Sequence, residues 1–364
     1  VEAWVWYNSL EEVEAMKNVL LILLTILLAA PLSVPARTWH VNPEGTGDAP
    51  TIKAGVDSAA AGDTLLLADG TYTGNGNRDV GVGKAVTVAS ESGNPEACII
   101  DCQGNDTEYH RGFTMNAGRL EGLTIRNGWQ DYGGALDLGV GVAVSNCRFI
   151  DNSAYESGGA IVVWSTWDYS TVRDCYFEGN TAIWYGGAVG TPPYYMVHVR
   201  FEDCTFVAND CPRGAAVYIG DDVEEYEFLM EGCTMVGNIG TCVAAWGYLY
   251  TRISRTIIAY GTGAAVSGAP VLACCDIYGN EGGDWTANIV SGLGHNGNIS
   301  ACPSFCLADA EPYDFRLCDD SPCLPGNHPD GYDCGLIGAW GEGCACGPTK
   351  TEPATWGAIK SIYR

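Results

Sequence analysis

Apolar residues fall on alternate positions in short runs through the middle of the chain. Cys147 and Phe149 flank Arg148, Cys175 and Phe177 flank Tyr176, and Cys204 and Phe206 flank Thr205. A period of two over so few residues marks a strand with one buried face. Each run leads to an asparagine five residues after its cysteine: Asn152, Asn180 and Asn209, then Asn238 after Cys233 and Asn280 after Cys275. Asparagine tolerates left-handed backbone, so each strand is expected to end there in a turn. Gly158-Gly159-Ala160 and Gly186-Gly187-Ala188 then open a second short strand where only small residues fit.

The spacing is regular. The asparagines at 152, 180, 209 and 238 lie 28, 29 and 29 residues apart. Thr256, Ile258 and Gly261 divide the next gap, of 42 residues, into 23 and 19. Ile125-Arg126-Asn127, followed by Gly133-Gly134-Ala135, is a looser copy 25 residues before Asn152. Short strands at a fixed period predict stacked units, none of which buries a core alone: a solenoid of parallel strands. Helical repeats would need runs of period 3.6, and these segments lack them.

The Phe-x-x-Asn-x-Ala and Gly-Gly-Ala elements resemble the repeats of polymorphic outer-membrane proteins. More broadly, the pattern over roughly residues 38–340 resembles the right-handed parallel β-helix, the pectate-lyase-like superfamily. The resemblance implies an all-β, single-stranded right-handed parallel β-helix. It speaks to fold rather than function, because the repeat residues (Cys147, Asn152, Cys175, Asn180, Cys204, Asn209, Cys233 and Asn238) are core and turn residues. Asp63-Thr64 to Gly70-Thr71-Tyr72 is similar to the first coil of many secreted β-helix proteins. Ser321-Pro322-Cys323 with Ile337-Gly338-Ala339 is similar to their terminal coil, which ends in a strand.

Four stretches follow. Residues 1–36 read as a leader. Met16-Lys17-Asn18 and the apolar run after it look like a signal peptide over 16–36, cleaved after Ala36, with residues 1–15 a misplaced start. The 12 apolar residues from 19 to 30 fall short of the ~20 needed to span a membrane. Residues 37–293 form the solenoid, with a short helix over 51–61 capping its open end. Residues 294–346 form a cap stapled by Cys302, Cys306, Cys318, Cys323, Cys334, Cys344 and Cys346. Residues 347–364 are a linker and a basic tail.

Charge and cysteines narrow the partners. A net charge of −26 disfavours nucleic acid and anionic lipid and suits divalent cations or a salty medium. The 17 cysteines point to an oxidising compartment, and an odd count leaves one unpaired. Cys147, Cys175, Cys204 and Cys233 should stack inward, either as bridges or as a ladder of buried thiols. Cys98 and Cys102 are a candidate local pair. No zinc spacing is present.

Two candidate sites emerge. Trp164, Trp167, Tyr194, Tyr195, Trp246 and Tyr248 lie between the Gly-Gly-Ala elements and the next cysteine. Trp167 and Tyr195 share a repeat position, so the row would offer stacked platforms to sugar rings. The plainer reading is packing on the solenoid wall. Asp174 and Asp203 both precede a repeat cysteine and should stack on the outer face near Arg148, Arg173 and Arg200. A polysaccharide lyase would use such carboxylates for Ca²⁺ and an arginine for the proton; a solvated wall looks the same. Asp221, Asp222 and Glu224 form an acidic run that would suit Ca²⁺ without the spacing of a dedicated loop. His40, His110, His198 and His328 are isolated.

The expectation is a secreted or cell-surface monomer that binds a polysaccharide or cell-surface glycan through its coil wall, without catalysis or a required cofactor. The alternative is a Ca²⁺-dependent polysaccharide lyase or a related carbohydrate-active enzyme.

Overall fold

The computed structural model describes residues 13–18, 35–164, 168–192, 197–220, 227–245, 251–307 and 313–345. The chain divides into two units, 1–36 and 37–364. In the first, residues 13–18 are helical, and most of the expected signal peptide lies outside the described residues. Among the described residues no helix is long and apolar enough to cross a membrane.

In the second unit the repeats form strands of mostly three to five residues, stacked in parallel into ten-, eleven- and nine-stranded sheets. Pairing joins equivalent residues of successive repeats, as in Phe149↔Phe177 and Phe177↔Phe206. From Phe149 onward the central position of each strand in the nine-stranded sheet points inward. It makes one buried column: Phe149, Phe177, Phe206, Met235, Ile258 and Ile277. The phenylalanine rings stack at 4.9 and 4.7 Å. The chain is therefore a coil around one apolar core. Helix α1 (Ile52–Ser58) closes one end, with Ile52 and Val56 buried and Thr51 accepting the Ala54 amide at 3.2 Å. Trp285 and Ile289, before and within a 3₁₀ turn (Ala287–Gly292), join the core at the other end.

The repeat cysteines are a thiol ladder. Cys147, Cys175, Cys204 and Cys233 are buried and unbridged. Their sulfurs donate to backbone carbonyls, as Cys204 does to Glu202 O at 3.2 Å. Burial pushes the Cys175, Cys204 and Cys233 thiols well up, so they stay protonated. Cys98 and Cys102 are also unpaired thiols. Cys98 begins a strand (Cys98–Asp101), and extended backbone carries Cys102 about 13 Å away, beyond disulfide reach.

The asparagines do not make the turn. Left-handed backbone falls on the residue before each: Asp151 (φ 53°), Gly179 (63°), Ala208 (51°), Gly237 (65°) and Gly279 (71°). The asparagine itself turns inward and is buried. Asn152, Asn180 and Asn209 each donate through Nδ2 to the carboxamide oxygen of the next, at 2.9–3.0 Å. Because Arg126 pairs with Ile150, Asn127 matches Asp151, and its φ of 54° makes it a turn residue; the looser copy is thus shifted by one.

The cysteine-rich cap adds one parallel bridge to the coil, Asp276↔Ile299, and then leaves it. Strands Phe305–Leu307, Asp314–Cys318 and Glu342–Cys344 form a small sheet of their own. This segment runs back over the outer face of the nine-stranded sheet. Leu317, Leu324 and Ile337 cover Ile257 and Ala259, and Phe315 covers Val207 and Val236. The stretch expected to close as a strand, Ile337-Gly338-Ala339, lies along the wall without strand pairing: Gly338 N donates to Arg255 O at 2.7 Å and Ala339 N to Thr234 Oγ1 at 2.9 Å. Gly338 (φ 96°) permits this approach, since a Cβ there would meet Ile257 Cδ1 at 2.7 Å. Disulfides Cys274–Cys334 and Cys306–Cys344 fasten the segment; Cys302 and Cys323 are thiols.

Candidate functional site

The corner between the ten- and nine-stranded sheets places the first residues of the site. Each coil turns there through one residue in left-handed backbone: Asn146 (φ 50°), Asp174 (52°), Asp203 (53°) and Gly232 (66°). Asn and Asp accept that conformation at low cost. The pairings Ser145↔Arg173 and Arg173↔Glu202 make Asn146, Asp174 and Asp203 equivalent, one above the other. Asp203 rests on the next corner, where a Cβ at Gly232 would lie 2.3 Å from its Oδ1.

Beside this corner is a cleft of about 600 Å³. Outward residues of the nine-stranded sheet supply Arg148, Tyr176, Glu178 and Thr205. Asn94, Pro95 and Glu96, from the loop at 91–97, form one boundary, and Tyr313, Ala339 and Trp340 of the folded-back segment form another. The Trp340 indole N–H donates to Thr205 Oγ1 at 2.8 Å, which fixes the ring while 43% of the residue stays exposed. Tyr313 stacks on Phe315 at 5.5 Å.

Charge in the cleft is uneven. The Arg148 guanidinium pairs with Glu96, lies 4.0 Å from Glu178 and sits 5.0 Å over the Tyr176 ring. Neither Asp174 nor Asp203 accepts a side-chain hydrogen bond or forms an ion pair among the described residues. Burial, and then the neighbouring Asp174 charge, push the Asp203 carboxyl up; Arg255 and Arg173 oppose this without cancelling it. Burial also pushes the Tyr176 phenol up.

The structure thus brings Asp174, Asp203 and Arg148 into one cleft and leaves Arg173 out. Arg173 pairs with Glu202, and Arg200 with the same carboxylate at 3.4 Å. Burial would raise Glu202, but the two guanidiniums hold it low. Trp164 packs against Tyr132 at 5.9 Å. Trp167, Tyr194, Tyr195, Trp246, Tyr248, Asp221, Asp222 and Glu224 lie outside the described residues. Sequence reasoning missed Tyr176, Tyr313 and Trp340. Tyr176 had a signal, a large aromatic at an outward strand position; the other two reach the wall only through the fold-back.

Among the described residues one trio of metal-type side chains has its ligand atoms within 4.8 Å: Cys306, Cys318 and Cys344. All three are disulfide-bonded and offer no thiolate.

A model of the Chlamydia polymorphic membrane protein repeat matches residues 146–163. No curated protein matches. Among solved structures, pectate lyase Pel9A is similar with a TM-score of 0.55 at 16% identity, over 85% of this chain and 98% of that one. The chain is a parallel β-helix repeat protein. ORF18 of Geobacillus virus E2 is also similar, with a TM-score of 0.32 at 15% identity over 66% of this chain and 56% of that one. In this β-helix the cleft lies on the nine-stranded wall, where the C-terminal segment stops covering it.

Proposed function

We propose that this β-helix is a secreted carbohydrate-binding protein that holds glycan in the cleft beside Trp340, without catalysis. One observation carries the reading: an indole pinned through its N–H, with its ring accessible, stands in a polar cleft beside Tyr313 and Tyr176. Aromatic faces pack on the C–H faces of sugar rings, and carboxylates and carboxamides accept from hydroxyls. The disulfides support an oxidising compartment. The site differs from the expected Trp164–Tyr248 row, but it remains an aromatic-lined place on the coil wall.

Lyase chemistry has weaker support. The proton acceptor expected from the sequence is an arginine, and a guanidinium keeps its own proton. Arg148 and Arg173 are, besides, held by glutamates.

The test is retention on immobilised glycans, run beside an ultraviolet assay for unsaturated product with and without Ca²⁺. Trp340→Ala is expected to weaken retention about tenfold, the loss of ~1.4 kcal/mol of ring stacking, while Trp164→Ala leaves it unchanged. Unaltered retention in Trp340→Ala would remove the site from this cleft. Unsaturated product would overturn the non-catalytic reading.

A further inference from the structure

We infer that the cleft selects glycans bearing protonated amines, amino sugars with a free ammonium group, over neutral and uronic-acid glycans. The inference rests on the carbohydrate-binding reading and adds the charge class of the ligand.

Among the described residues that line the cleft, Arg148 is the one cation, and Glu96 and Glu178 already engage it. Asp174 and Asp203 remain, stacked on adjacent coils with no positive partner in the cleft. A uronate there would add a third negative charge to two that have no cation beside them in the cleft. An ammonium would be attracted by both and would receive the hydrogen-bond acceptors its three N–H groups need. The aromatic faces of Trp340 and Tyr313 add cation–π attraction at the rim. Burial and then the Asp174 charge raise the Asp203 carboxyl, and Arg255 and Arg173 do not cancel this.

A divalent cation is the competing way to balance the two carboxylates. Ca²⁺ takes six to eight oxygen ligands. Among the described residues Asp174 and Asp203 belong to no trio of metal-type side chains whose ligand atoms all lie within 4.8 Å of one another. The donor set suits an ammonium held between two acceptors better than a caged metal ion.

The experiment compares three tetrasaccharides by titration calorimetry with the full-length protein at pH 6: β-1,4-linked glucosamine, its fully N-acetylated counterpart, and α-1,4-linked galacturonate. Each is run with Ca²⁺ and with chelator. The amino sugar is expected to bind at least tenfold more tightly than the acetylated one, and the uronate most weakly. Asp174→Asn and Asp203→Asn should each remove most of that preference. Both variants are conservative, because Asn146 already occupies the equivalent corner, one coil before Asp174 and two before Asp203. Asp106→Asn, an exposed site outside the cleft with the same change in net charge, should not alter the preference. Equal affinity for the amino and acetylated sugars would overturn the charge inference while leaving the glycan reading intact. Binding of none of the three would count against the glycan reading itself. Uronate binding that needs Ca²⁺ and is lost in Asp174→Asn would also overturn the inference, in favour of a bridging cation. An amino-sugar preference that falls equally in Asp106→Asn would reduce it to general attraction by an acidic surface.

Discussion

The asparagine ladder shows what a single residue type contributes to the coil. Asn180 accepts from the Asn152 amide at 3.1 Å and from its Nδ2 at 3.0 Å, and donates to Phe149 O at 2.9 Å. These groups face the dry interior, where an unpartnered polar group costs about 1–3 kcal/mol. Asn180→Ala strands several at once. Unfolding in urea should show a loss of at least about 3 kcal/mol, and Asn180→Asp, which has no Nδ2 to donate to Phe149 O and Asn209 Oδ1, should not restore it. Loss of less than 1 kcal/mol would mean that the ladder is not a unit of stability. The ladder's positions were legible from the repeat, but its role was not. Period and residue type pointed to a left-handed turn, and the backbone placed that turn one residue earlier, at Asp151 and Gly179. The same one-residue shift explains why Asn127 looked like a ladder member. Asp174 and Asp203 were legible as a stack because a fixed period makes equivalent residues neighbours; that they face a cleft was not.

At the scale of elements, the contact between the last wall strand, Asp276–Tyr278, and the folded-back segment depends on one buried acid. Asp276 Oδ1 accepts from the Ala301 amide at 3.0 Å, and Oδ2 from the Cys323 thiol at 3.2 Å. Burial pushes this carboxyl up to about 7, with Asp284 adding to it and the two hydrogen bonds opposing. Tyr260 and Cys302 are the other titratable groups nearby. In the unfolded chain the same acid titrates near 3.9. Between about pH 4 and 7 the folded protein therefore keeps a proton that the unfolded chain releases. This contribution to stability is full below pH 4, falls as pH rises, and is gone above about 7. Its span is on the order of 4 kcal/mol. Asp276→Asn should flatten that slope. The measurement is the difference in urea midpoint between wild type and variant from pH 4 to 8. The difference cancels Asp314 and Glu202, whose carboxyls are held low and act in the opposite sense at lower pH. A constant difference would rule out a proton on Asp276.

Across the molecule, the coil and the segment that covers it are held by different forces. The coil has parallel ladders, an apolar column and thiols, with no disulfide inside the repeats from Cys147 to Cys242. That part was readable because its pattern is local and repeats. The covering segment was not, because Trp340 reaches Thr205 across 135 residues and no periodicity announces such a contact. Its cysteines were read as staples, but Cys274, the coil's partner in one bridge, was not foreseen. The bridges close separations of 60 and 38 residues. At those lengths each restricts the unfolded chain by about 4 kcal/mol. Reduction should therefore loosen the segment and leave the coil intact. Tyr313 and Trp340 would leave the cleft, and Val207, Val236, Ile257 and Ala259 would meet water. Under reductant, glycan affinity should weaken at least tenfold, tryptophan fluorescence should shift to the red, and a hydrophobic dye should bind, while the far-ultraviolet β signal persists. The double variant Cys306→Ser with Cys344→Ser should reproduce part of this without reductant. If affinity survives reduction while the dye binds, the ligand lies on the bare coil, and the fold-back protects the wall without building the site.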